Sequence, residues 1–141
     1  MERRIFLKKS CALCGIGVMG VAAFLESCKS GNSVNPQSQG PSANFTIDLT
    51  QSANASLNSN GGSIYSNGVI VTNINGTYVA LAQACTHQGC SISYNQTGND
   101  FICPCHNGVY DTNGNVLSGP PPASLKKYSV TKSGSILTVS G

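Results

Sequence analysis

Charge is what this sequence is shortest of. Asp, Glu, Lys and Arg make up 9% of its 141 residues, against roughly 25% in an average globular protein. Half of the basic residues, Arg3, Arg4, Lys8 and Lys9, crowd the N-terminus. From residue 29 onward Lys29, Lys126, Lys127 and Lys132 face Asp48, Asp100 and Asp111. That balance leaves no basic field able to hold nucleic acid. Tryptophan is absent, and aromatics are 6% of the chain. The longest apolar run, Cys11 to Leu25, is about fifteen residues, short of the ~20 that span a bilayer as a helix. Beyond residue 28 no stretch has a convincing helical period, and no catalytic pocket is evident in the pattern.

Histidine is scarce too, and its placement is informative. The two histidines, His87 and His106, lie in two short windows, Cys85-Thr-His-Gln-Gly-Cys90 and Cys103-Pro-Cys-His-Asn-Gly108, with four of the seven cysteines. A small domain that gathers its thiol and imidazole groups in two windows is suited to hold a metal. Cys85-x-His87 and Cys103-x-x-His106 offer two thiolates and two imidazoles. Cys90 and Cys105 are left over, one per window, and could join the two covalently. A structural zinc site could also use two cysteines and two histidines, but Cys-x-His is unusual spacing for it and the extra cysteines go unexplained. Cys103-Pro-Cys105 lacks the two-residue spacing of a dithiol catalyst.

Cys-Thr-His-x-Gly-Cys followed by Cys-Pro-Cys-His resembles the paired motif of Rieske iron–sulfur proteins, over about residues 64–125. In that family histidines replace two cysteines on one iron of a [2Fe–2S] centre. The resemblance implies one such cluster, with Cys85 and Cys103 on one iron and His87 and His106 on the other. With neutral imidazoles the oxidised centre is uncharged, whereas an all-thiolate cluster carries two further negative charges. Adding an electron then costs less work, and potentials run roughly −150 to +300 mV against about −400 mV for plant-type ferredoxins. Reduction makes the outer imidazole nitrogens hold protons more tightly. The potential is therefore expected to fall as pH rises through their titration in the oxidised state, as quinol oxidation requires.

The resemblance also implies a Cys90–Cys105 disulfide bracing the two loops, a feature of the respiratory and exported branch that oxygenase-type members lack. Beside the cluster, Tyr110 stands where the family has a tyrosine bonded to a cysteine sulfur. Gly108 stands where respiratory members have a serine that bonds a sulfide. Donors to sulfur stabilise the reduced state. A potential below that of members with both donors is therefore expected, and Gly108→Ser is expected to raise it. Gly119-Pro120-Pro121-Pro122 matches the family's proline loop, stiffened by three fixed rings, with Pro121 on the cluster's flank.

The N-terminus reads as an address. Met1 to Lys8, with paired arginines and Phe-Leu-Lys, resembles a twin-arginine export signal, although Glu2 stands where Ser or Thr is usual. Leu25-Glu26-Ser27-Cys28 looks like a lipoprotein cleavage box, which would make Cys28 the lipidated N-terminus. A retained apolar anchor is the alternative. Residues 1–28 are thus expected to be an export signal, 29–44 a flexible linker with a reach of roughly 20–25 Å, and 45–141 the Rieske domain.

From Phe45 the pattern is short strands punctuated by turns such as Asn67-Gly68, Asn75-Gly76 and Ser133-Gly134. It predicts an all-β, small antiparallel sandwich or barrel-like fold with both windows at one end. Gln51 to Asn58 is expected to be a loop or ragged strand. The whole implies an electron-transfer protein on the periplasmic side of a bacterial membrane. Its expected partners are cytochrome or oxidoreductase subunits of a bc-type complex, and quinol. A free-standing carrier, or the small subunit of an arsenite-oxidase-like enzyme, is the alternative.

Overall fold

The computed structural model describes residues 40–141; the expected export signal and Cys28 lie outside them. Ten antiparallel strands form two sheets. The base sheet holds β1 (Asn44–Asp48), β2 (Ser63–Ser66), β3 (Val69–Ile74), β4 (Thr77–Ala82), β9 (Lys127–Ser133) and β10 (Ile136–Ser140), in the order β1-β10-β9-β4-β3-β2. The upper sheet is the meander β5 (Ser93–Asn95), β6 (Asp100–Cys103), β7 (Gly108–Tyr110) and β8 (Val116–Ser118).

Local chemistry accounts for the hairpins. Asn67-Gly68 and Asn75-Gly76 have both residues at positive φ, the twist a two-residue hairpin needs. Along β3, Val69 to Asn73 are all buried, so this strand is covered on both faces. Asn73 meets that burial by donating Nδ2 to the Leu57 carbonyl and accepting the Gly76 amide at 2.8 Å each. One apolar core runs through both sheets, from Leu57, Ile70, Leu81 and Leu137 to Ile92, Phe101 and Tyr110.

Two segments differ from expectation. Ser52–Asn58 is a 3₁₀ helix. Its serines and asparagines have weak helical propensity, and tertiary contacts hold it instead: Asn54 and Asn58 donate to the carbonyls of Asp48 and Leu49, and Leu57 is fully buried. Gly40 to Ala43, expected as linker, are bound to the base sheet. The Tyr128 hydroxyl donates to the Pro41 carbonyl at 2.7 Å, and Ala43 exchanges amide bonds with Gly141.

The upper sheet is a single excursion from the base. The chain leaves at Ala82 and returns at Lys127, and these points adjoin: Leu81 pairs Lys127, and the Ala82 amide donates to the Lys126 carbonyl at 2.8 Å. Tyr65, on β2, donates its hydroxyl to the Ile92 carbonyl at 2.9 Å, tying the excursion to the base a second time.

Candidate metal centre

Each sequence window becomes a tight loop. In the first, which joins the two sheets, the Cys85 amide donates to the Cys90 carbonyl and the Gly89 amide to the Cys85 carbonyl, both at 2.8 Å. Ala84 and Ser91 pair just outside. The second loop is the β6–β7 hairpin, closed where Cys103 pairs Gly108 and turned through Asn107 at φ 56°. A disulfide joins Cys90 to Cys105, with their Cα atoms 6.5 Å apart. In the chain-entropy view such a cross-link contributes about 3 kcal/mol for a loop of this size, and here it also fixes one loop against the other.

The disulfide sorts the remaining thiols. Cys103 lies within 4.8 Å of both bridged sulfurs, but among the described residues only Cys85 and Cys103 are free, and both are buried. Each sits in the same local arrangement, facing backbone amides two and three residues on: His87 and Gln88 for Cys85, Cys105 and His106 for Cys103. Such converging N–H groups favour a thiolate. The thiols are otherwise unequal. Burial pushes Cys85 up, but the Tyr110 hydroxyl at 3.2 Å, those amides and the Cys103 thiol outweigh it, so Cys85 lies below the ordinary thiol value. Burial, followed by the Cys85 sulfur beside it, pushes Cys103 up, and its two amides recover part of this.

Tyr110 is fully buried, and burial together with the Cys85 sulfur raises its phenol to about 12. It therefore keeps its proton near neutrality. The Thr86 amide donates to the Tyr110 oxygen at 3.2 Å, while the Thr86 hydroxyl donates to the Ala123 carbonyl at 2.7 Å. With Thr86 so committed, the Tyr110 proton has two acceptors, Thr86 Oγ1 at 3.1 Å and Cys85 Sγ at 3.2 Å. A thiolate is the stronger of the two.

The imidazoles stand at the tip. His106 is exposed and His87 partly so. Their Nδ1 atoms face each other at 3.2 Å, with the rings edge to face and centroids 4.7 Å apart. Two nitrogens bound to one tetrahedral ion at about 2.0–2.1 Å stand roughly 3.3 Å apart. The pair thus matches the bite of a single metal ion, while the two buried thiols form a separate pair.

The proline segment spans both loops. Gly119, at φ +95°, approaches so closely that a Cβ there would lie 2.8 Å from Gly108 Cα and 2.9 Å from the Asn107 oxygen. Pro121 is buried, and Ala123 accepts from Thr86 on the first loop. The Gly119 and Thr86 contacts join residues far apart in sequence and carry no local sequence signal.

A family model for the Rieske [2Fe-2S] domain matches residues 49–129, more than half the chain. The chain belongs to the Rieske [2Fe-2S] domain family. Two imidazoles facing each other and two neighbouring buried thiols fit the family's one [2Fe–2S] cluster in donor type and pairing. Among curated relatives, the cytochrome b6-f complex iron-sulfur subunit of Chlorobaculum thiosulfatiphilum is 38% identical over 72 residues, 51% of this chain and 40% of that protein. The subunit of the same name from Prochlorococcus marinus (strain AS9601) is 56% identical over 45 residues, 32% and 25% of the two chains. The chain thus matches well under half the length of either relative. Among solved structures, the ferredoxin of carbazole 1,9a-dioxygenase from Nocardioides aromaticivorans IC177 aligns with TM-score 0.54 at 18% identity, covering 68% of this chain and 97% of that one. That likeness concerns the Rieske fold alone.

Proposed function

We propose that this Rieske protein carries single electrons as an exported, membrane-tethered iron–sulfur subunit of a quinol-oxidising cytochrome bc-type or other respiratory oxidoreductase complex. Cys85 and Cys103 would ligate one iron and His87 and His106 the other. When bound, the cluster supplies a one-electron couple coupled to protons. The observation that carries the reading is the exposed imidazole pair, its Nδ1 atoms 3.2 Å apart, on the same two loops as two buried free thiols.

The protein's own groups have distinct tasks. Cys85 and Cys103 present sulfur in amide-lined, water-poor positions. His87 and His106 direct Nδ1 inward, which leaves Nε2 of each ring to hold a proton or meet a partner. Tyr110 donates toward Cys85 and favours the more negative reduced state. The disulfide holds the loops together. Export and tethering rest on the N-terminal sequence: the paired Arg3-Arg4, the apolar run and Cys28.

Cell fractionation of the full chain tests the tether. The wild type is expected in the membrane fraction, facing outward. Cys28→Ala is expected to release it, and Arg3→Lys with Arg4→Lys to retain it in the cytoplasm. Cytoplasmic, soluble wild-type protein would contradict the reading. A free-standing redox carrier is the second reading, favoured by Gly108, which lacks the serine donor of respiratory members.

A further inference from the structure

The absence of a side chain at Gly108 has a local cause. Its backbone is outside the left-handed region, so conformation alone would allow any residue. Space does not. A Cβ at position 108 would lie 2.5 Å from Pro121 Cγ and 2.9 Å from its Cδ, while its next neighbour, Cys103 Cβ, is at an ordinary 3.6 Å. Under 3.0 Å something must shift, and the proline ring is poorly placed to do so. It is the middle of three consecutive prolines, rigid by ring closure. Its segment is seated at one end by Gly119 against Asn107 and Gly108, and at the other by the Thr86 bond to Ala123.

We propose that Gly108 and Pro121 are a matched pair: the buried ring fills the space of a side chain at 108, and it keeps both a hydroxyl donor and water from the Cys103 side of the cluster. Pro121 is then a positioning residue for the cluster's electronic environment, and the serine-type donor is inaccessible to this protein by single substitution. The inference rests on the Rieske reading, and it reverses one expectation from sequence. Gly108→Ser alone will not raise the potential, because the loop must be displaced before the hydroxyl can be aimed. Pro121→Ala removes the two obstructing atoms, and the next neighbour, Cys103 Cβ, lies at an ordinary 3.6 Å, so a serine at 108 can be seated without displacing the loop.

The test uses the purified full-length holoprotein and two readouts. In thermal unfolding, Gly108→Ala is expected to lower the melting temperature by roughly 5–10 °C, as overpacking of a small domain does, and adding Pro121→Ala should recover most of that loss. In redox titration followed by EPR, Gly108→Ser should leave the potential unchanged or lower, whereas Gly108→Ser with Pro121→Ala should raise it above both single variants. An unchanged melting temperature in Gly108→Ala, no recovery in the double variant, or a full rise in potential from Gly108→Ser alone would each overturn the pairing. Failure of the Rieske reading has a separate signature: wild-type protein with no [2Fe–2S] signal, whatever the unfolding cycle gives.

Discussion

The two cysteine–histidine loops each hold a free thiol in the same kind of amide pocket, yet they surround it differently. Cys85 has the Tyr110 hydroxyl at 3.2 Å, on a tyrosine that also accepts from the Thr86 amide. Cys103 has no such donor beside it; its flank is Gly108 with the Pro121 ring laid over it. One sulfur is therefore supported by a hydroxyl as well as by backbone amides, and the other, equally buried, by backbone amides. The difference shows that two loops of like backbone geometry can surround their thiols differently, through the residues packed beside them.

Removing either side altogether should have the largest effect. Cys85→Ser and Cys103→Ser are both expected to abolish the cluster, read as loss of iron and of the EPR signal in purified protein. A variant that kept a normal signal would remove that cysteine from the ligand set. Uncoupling the loops comes next: Cys90→Ala with Cys105→Ala should cost about 2–4 kcal/mol in denaturant unfolding. If stability were unchanged, the disulfide would not be what holds the loops together. Erasing the asymmetry at Cys85 should matter less for stability and more for electrons. Tyr110→Phe deletes one hydrogen bond to a charged sulfur and should lower the potential by roughly 20–60 mV. An unchanged potential would mean that the phenol proton goes to Thr86 instead. Thr86→Val keeps the amide bond to Tyr110 but removes the hydroxyl that holds Ala123 and competes for the phenol proton; it should cost about 0.5–1.5 kcal/mol and shift the potential slightly in the opposite direction.

A change outside both loops sets the baseline. Asp111 is pushed up by burial, but bonds from Asn115 and Asn113 and the charge of Lys127 outweigh this and hold its carboxyl below the ordinary range. A group whose folded pKa is depressed stabilises above its unfolded value and loses that contribution as pH falls through the folded one. Asp111→Ala should thus be slightly less stable than wild type near neutrality and converge with it in acid, with no change in potential at neutral pH. A gap that widened in acid would reverse the sign of this account.

What the sequence revealed was local. The two cysteine–histidine windows and most hairpins are written in residues within six positions of one another, where residue type and spacing alone constrain geometry. What it hid was assembled from a distance. The reason for Gly108 lies thirteen residues on, in the ring of Pro121. The seat of the proline segment depends on Thr86, 37 residues from Ala123. Ser52–Asn58 turns into a 3₁₀ helix because Leu57 has a core to enter and Asn73 a carbonyl to meet. Gly40 to Ala43 looked like linker because docking on Tyr128 and Gly141 needs no apolar side chain.

The central claim is that two thiolates and two imidazoles share one [2Fe–2S] cluster at this tip. Redox titration of the purified holoprotein by EPR over a range of pH tests it most directly. A single one-electron couple above about −150 mV, falling as pH rises, is the result the account predicts. A potential near −400 mV that ignores pH, or a protein that binds zinc and shows no iron signal, would contradict it.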